Sequence, residues 1–261
     1  MSLSKRRISR LIGDLSKDLS ITVYKTIGST NTEAKLAAEG GLDKCAVFVA
    51  SEQTAGRGRL GRSFSSSRDK GLYLTILLPY DMPAHYATSL TTYMAVIATR
   101  ALASLSPIDT KIKWVNDIYV NGKKLAGILT EGKAKNEGVL AYALVGIGIN
   151  LLKQDFSDEL QTIATTVEDE CGIMIDPSDL TAEIVKEFFG NLHLVGTHEL
   201  ADEYRAHSFL IGERVNVIKP TITYEATVKD ITDKCELVLE LPNGEVEILS
   251  TGEVSVRKRD A

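Results

Sequence analysis

The chain has 261 residues, 44% of them hydrophobic and 25% charged, with a formal net charge of -5. That balance describes one large globular domain, or one with a small appendage, and excludes disordered and fibrous classes; no apolar run approaches the roughly 20 residues of a membrane helix. The acidic balance argues against a general nucleic-acid binder, the start lacks the apolar core of a signal peptide, and the chain reads as cytoplasmic.

Apolar positions Ile8, Leu11, Ile12, Leu15 and Leu19 predict an amphipathic helix over residues 4–19, too short for a helix-turn-helix domain. A strand follows over 21–27. The next helix is announced by the capping-box spacing of Thr30 and Glu33 and closed by Gly40 and Gly41. Residues 45–51 and 71–78 read as compact apolar strands separated by a polar loop. A helix over 85–105 ends before Pro107, and residues 111–115 read as a strand.

Asn121-Gly122 then lies between two strand-like runs and predicts a hairpin, because a type I′ turn needs positive φ at both central positions. Residues 139–150 form a further apolar strand, whose final Gly146, Gly148 and Asn150 let a ligand approach the backbone. Residues 151–207 are mainly helical. From Phe209 the pattern changes to short β segments split by Pro220, Asp233 and Pro242-Asn243-Gly244, which predicts a small barrel. The expected division is therefore 1–208 and 209–261.

Cys45, Cys171 and Cys235 are widely spaced, and His85, His193, His198 and His207 form no metal-binding pattern. All three cysteines are read as structural, and no metal ligands are expected from cysteine or histidine. The informative segment is residues 53–62, where Gln53 and then Gly56, Arg57, Gly58, Arg59, Gly61 and Arg62 alternate in an otherwise acidic protein. Glycines permit tight turns that expose N–H groups, and guanidinium forks grip phosphate oxygens bidentately, so the loop suits a triphosphate better than plain solvent. The Walker pattern is missing. The three glycines do have GxGxxG spacing, but they precede a strand rather than a helix, which rejects a dinucleotide-binding assignment.

Five blocks now occur in order: Gly28-Ser29-Thr30-Asn31; residues 53–62; Lys113-Trp114-Val115-Asn116-Asp117; Lys124-Leu125-Ala126-Gly127-Ile128-Leu129; and Gly146-Ile147-Gly148-Ile149-Asn150. Together they resemble the biotin protein ligases across nearly the whole chain. The resemblance implies an α/β (α+β) fold: a class II synthetase-like catalytic domain, with a mixed β-sheet flanked by helices, and a small C-terminal SH3-like β-barrel. It also implies the reaction, in which biotin and ATP give biotinyl-5′-AMP and pyrophosphate before the biotinyl group passes to a lysine amine. The implied acceptor is a biotin carboxyl carrier domain of a carboxylase.

The resemblance assigns Ser29, Thr30, Asn31 and Gln53 to the ureido head of biotin, alongside their helix-capping role, with Gly127, Gly146 and Gly148 against the ligand. Arg57, Arg59 and Arg62 would hold phosphates, with Arg57 also at biotin, and Lys124 would lie beside the carboxylate and α-phosphate, with Mg2+ bridging the remaining oxygens. Alone, Lys124 reads as an exposed hairpin lysine. Trp114 reads as a core aromatic or as a wall for the biotin tail. Lys113 and Asn116 fall to ATP, and Asp117 orients the incoming lysine or acts as its base; Asn116 and Asp117 are equally able to cap a turn. Asn150 either contacts adenine or ribose or ends its strand. Glu253 and Arg257 help close over ATP or are surface charges.

Two departures stand out. Val115 occupies a position where the family usually has proline, and Phe64 replaces a tryptophan, keeping an aromatic face for adenine but losing the indole N–H. Some members carry a DNA-binding helix-turn-helix; about 20 residues before the first strand are too few for one, so the monofunctional type without DNA or membrane partners is expected. A sheet edge in such a fold is able to pair across a homodimer, and no residue pattern singles out the strand. Rival readings are a ligase for lipoyl or octanoyl groups, and a non-enzymatic phosphate- or RNA-binding module whose affinity would fall with salt.

Overall fold

Unbroken apolar runs belong in strands covered on both faces, and in a computed structural model, which describes residues 3–219, 222–250 and 255–258, two such runs lie side by side. In chain order the first part forms α1 (Lys5–Ile12), α2 (Leu15–Asp18), β1 (Ser20–Tyr24), α3 (Thr30–Glu39), β2 (Ala46–Ala50), β3 (Gly71–Leu78), β4 (Met82–Pro83) and α4 (Tyr86–Leu105). There follow β5 (Lys111–Lys113), β6 (Asp117–Val120), β7 (Lys123–Asn136), β8 (Val139–Asn150), α5 (Asp158–Gln161), α6 (Val167–Cys171), α7 (Pro177–Gly190) and α8 (His198–His207). The C-terminal part is β9 (Arg214–Ile218), β10 (Thr223–Ile231), β11 (Leu237–Glu240), β12 (Val246–Leu249) and β13 (Ser255–Lys258).

Among the described residues the main sheet runs β1-β2-β3-β8-β7-β6-β5, with β4 paired to β8. Only β1 and β2 run parallel, so this is the expected mixed sheet. Period-two alternation sends Leu72, Leu74, Ile76 and Leu78 into a large core shared with α4, α7 and α8, while Phe48, Leu77, Tyr142 and Leu144 face α3 on the other side. Helices thus cover both faces. Tyr73, Thr75, Gly146 and Gly148 share the α3 face by the same alternation, beyond the end of that smaller cluster. At Thr75, Gly146 and Gly148 bulk gives way, and the face is covered instead by Asn31 and Phe64.

Three local expectations are corrected. The helix over 4–19 is two helices, because Gly13 takes φ 60 and breaks it. The first strand stops at Tyr24, and the chain stays tied to the segment after β2 by backbone bonds such as Ile27 N to Glu52 O and by a bridge from Ile27 to Gln53. The capping box does not form: Ser29 is the N-cap of α3 without a side-chain bond, and the Thr30 N–H is taken by Gln53 Oε1 at 2.8 Å, a partner from across the fold. The hairpin is as expected, with Asn121 at φ 48 and Gly122 at φ 79.

β9 to β13 form a separate antiparallel sheet in the order β12-β11-β10-β9-β13, the SH3-like C-terminal part. Its inward residues Val215, Val217, Val228, Leu237 and Leu239 join the large core. Two polar fastenings hold it: the Trp114 indole N–H donates to Cys235 O at 2.9 Å, and Arg205 Nε donates to Ile231 O while its other nitrogens meet Asp202 and Asp233. Tyr204, fully buried, donates to Val115 O at 3.1 Å. Among the described residues no helix is long and apolar enough to cross a membrane.

Candidate active site

Three adjacent strands set the floor. Register places Thr75, Gly146 and Leu129 in one cross-strand row, and Tyr73, Gly148 and Gly127 in the next row on the same face. Rows two residues apart on a strand are separated by about 7 Å. Because three of the six are glycine, the backbone itself forms a trough, lined along its sides by Ser29, Thr30, Asn31, Gln53, Arg57 and Phe64. Nine of the residues named from the sequence meet here: those six, Gly127, Gly146 and Gly148.

Asn31 lies across the first row. Its Oδ1 is 2.6 Å from the Thr75 hydroxyl, and its Nδ2 donates to Leu129 O at 3.2 Å and to Glu131 Oε2 at 2.9 Å. A Cβ on Gly146 would stand 2.1 Å from that Oδ1, so only glycine admits the asparagine. Gln53 Oε1 accepts from both the N–H and the hydroxyl of Thr30, and its Nε2 donates to Ser66 Oγ, which in turn donates to Phe64 O. Gly56 sits so close to Ser66 Oγ and Phe64 O that a Cβ would be 2.6 and 2.4 Å from them. The head of the trough and the arginine loop are one hydrogen-bonded unit.

Phe64 lies over the second row. A Cβ on Gly148 would be 2.5 Å from its ring, and the ring packs edge-on against Tyr73 at 6.5 Å. The cavity that remains is about 20 Å³, room for about one water. The loop therefore has an apolar anchor. Backbone bonds from Gly58 N to Arg62 O and from Phe64 N to Gly56 O fold it into a narrow hairpin.

The cations do not converge on one point. Arg57 pairs with both oxygens of Glu131, Arg59 donates to Asn116 Oδ1 at 3.0 Å, and Arg62 is exposed. Burial pulls the Arg59 guanidinium below its ordinary value, with the Asp117 charge opposing. Lys124 folds back over Gly127, where a Cβ would be 3.1 Å from its Nζ, and pairs with Asp117 at 2.7 Å. Asn116 ties the two blocks together: its Nδ2 donates to Ile128 O and Asp117 Oδ1, and its own carbonyl accepts from Ile128 N–H. Asp117 and Lys124 thus close one end of the trough, and Asn31 closes the other.

Other predicted residues stand apart. Trp114 is packed in the core and does not line the trough. Lys113 Nζ lies over the Tyr119 ring, and Asn150 is buried with its Nδ2 on Thr165 O. Glu253 and the side chain of Arg257 lie outside the described residues. Thr75, Glu131 and Ser66 were missed by sequence reasoning: each is an ordinary polar residue of a strand or serine-rich loop, and only strand register and the path of that loop bring them to Asn31 and Gln53. Burial raises the thiols of Cys45 and Cys235, and among the described residues no three metal-ligating side chains gather.

Comparison with known proteins places the same blocks in context. Residues 23–150 match the model of the biotin/lipoate A/B protein ligase family, and residues 210–257 match the biotin protein ligase C terminal domain. The chain is 34% identical to the bifunctional ligase/repressor BirA of Bacillus spizizenii over 86% of this chain and 70% of that protein. It is 30% identical to the biotin–[acetyl-CoA-carboxylase] ligase of Mycobacterium tuberculosis, over 94% of this chain and 92% of the relative. The structure of the Aquifex aeolicus biotin protein ligase in complex with biotin and ATP superposes with a TM-score of 0.78 at 25% identity, covering 92% of this chain and 99% of that one. The chain therefore belongs to the biotin protein ligase family.

Proposed function

We propose that the trough binds biotin with its ureido ring at Asn31 and its carboxylate at Lys124, and that this protein activates biotin with ATP before passing it to a lysine of a biotin carboxyl carrier domain. One observation carries this reading: the polar head and the cationic end lie at opposite ends of a floor of glycines. A cyclic urea offers two N–H donors and one carbonyl. Asn31 Oδ1 keeps a lone pair for an N–H, Gln53 Nε2 keeps one hydrogen for the carbonyl, and the buried Ser29 hydroxyl has no partner among the described residues. Lipoyl and octanoyl groups offer no N–H to such a head, which disfavours them despite the shared family.

Phe64 must move off the glycine floor before a ligand occupies it, and the arginine loop moves with it. Attack of the carboxylate on the α-phosphorus brings two anions together. Lys124 stands at the carboxylate end to neutralise them, with Arg59 behind it through Asn116. Mg2+ on the phosphates would add further neutralisation, and the hard oxygens of Asp117 and Asn116 suit it. Once the adenylate is made, Asp117 is the carboxylate beside Lys124 that receives the acceptor amine, which must lose a proton to attack. We place Arg57 and Arg62 at the phosphates after loop movement, and the boundary between catalytic and C-terminal parts near residue 208. Glu253 and Arg257 remain assigned to ATP by resemblance alone.

The test is transfer. The purified chain, supplied with biotin, ATP, Mg2+ and a biotin carboxyl carrier domain, should biotinylate that domain at one lysine, read by mass spectrometry. Octanoate or lipoate in place of biotin should leave it unmodified, and labelling with lipoate would reject the reading.

A further inference from the structure

We infer that Thr75 and Glu131 are positioning residues that lock the Asn31 amide with only its oxygen free for the ligand, so that the site selects a head group presenting an N–H there; this rests on the biotin reading above. A carboxamide is nearly symmetric in shape, and a half-turn exchanges its acceptor for its donors. Surroundings alone decide which end meets a ligand.

At Asn31 the surroundings are one-sided. Both Nδ2 hydrogens are spent, one on the Leu129 carbonyl at 3.2 Å and one on the Glu131 carboxylate at 2.9 Å. Thr75 Oγ1 lies 2.6 Å from Asn31 Oδ1 and 2.8 Å from the Thr30 hydroxyl. Its single hydrogen serves the amide oxygen, which can only accept, while the Thr30 hydroxyl beside it gives its own hydrogen to Gln53 Oε1. Turned over, the amide would face its oxygen to a carbonyl and a carboxylate. Two acceptor pairs would then be opposed and the Thr75 hydroxyl hydrogen lost.

The choice of threonine has no other explanation in the fold. Thr75 is fully buried in β3 between Leu74 and Ile76, its strand neighbours are Phe48 and Gly146, and valine would fill the same volume with the same strand preference. A hydroxyl in such a place needs a partner, and the Asn31 amide oxygen is the one that takes its hydrogen. Glu131 adds a second function: the carboxylate that holds the amide also holds Arg57. Head-group orientation and loop placement share one side chain.

The experiment measures discrimination rather than affinity. Calorimetry on the full chain would compare biotin with the two cyclic carbamates in which one or the other ureido N–H is replaced by oxygen. The wild-type chain should reject one carbamate by about a hundredfold or more, since a site built to receive an N–H is left facing an acceptor. Thr75→Val should cut that ratio at least tenfold by releasing the amide, and Thr75→Ser should keep it within about threefold. Glu131→Leu should lower the ratio as well, and it decides the matter if Thr75→Val does not fold. A wild-type ratio in the folded valine and leucine variants overturns the lock while leaving biotin binding intact. Failure of the wild-type chain to bind biotin at all removes the proposed function, and the lock with it.

Discussion

Gly146 and Asn31 meet so closely that one added methyl group would lie 2.1 Å from the amide oxygen. Gly146→Ala should therefore displace Asn31 and weaken biotin binding at least thirtyfold. The strand itself tolerates alanine, so the cost in stability should stay within about 1–3 kcal/mol. Titration calorimetry alongside a thermal melt checks both, and wild-type affinity in a folded variant would contradict the site.

The Lys124–Asp117 pair is 2.7 Å apart, and the proposed roles of its members fall in different half-reactions. Asp117→Asn should slow transfer from preformed adenylate to the carrier lysine by about 10²-fold or more, the range for a lost general base. Biotin affinity should change less than threefold, because the head at Asn31 and Gln53 is untouched and Lys124 keeps its place. Single-turnover transfer assays separate these quantities.

Phe64 fastens the arginine loop to Gly148. Phe64→Ala removes the one aromatic side chain the loop packs on the floor, so the ligand-free variant should be cut by trypsin within residues 57–62 several times faster than wild type. Adding biotin and ATP should restore protection in both. Equal cleavage rates without ligand would mean that backbone bonds alone hold the loop.

Away from the site, Arg7 holds the Asp179 carboxyl below its ordinary value of 3.8 through a bidentate hydrogen bond. A depressed folded-state value means that this contribution is fully present above the unfolded value and is lost as pH falls through the folded one. Wild type should consequently lose stability more steeply than Asp179→Asn on acidification below about pH 4, a window set by that ordinary value. Denaturant melts across pH 2–5 measure the difference, and parallel curves would contradict the pairing.

Strands were legible wherever both faces are buried, because β3 and β8 are apolar along most of their length and glycine and asparagine gather at the end of β8. The turn at Asn121-Gly122 was legible because its φ values leave few alternatives. The start of α3 was not: a local capping box and a distant Gln53 compete for the Thr30 N–H, and sequence spacing speaks only for the first. Thr75 escaped notice because threonine is an ordinary strand residue, and its partner is fixed by register with β7 and β8. Trp114 had two environments open to it, and a hydrogen bond to Cys235 from a different part of the fold decided between them.

The most direct test of the account is pyrophosphate release by the purified chain. Release should require biotin and ATP together, and Lys124→Gln should reduce it at least a hundredfold while biotin still binds. Release that proceeds equally without biotin, or a Lys124→Gln chain as fast as wild type, would contradict the claim that this trough delivers a carboxylate to a nucleotide.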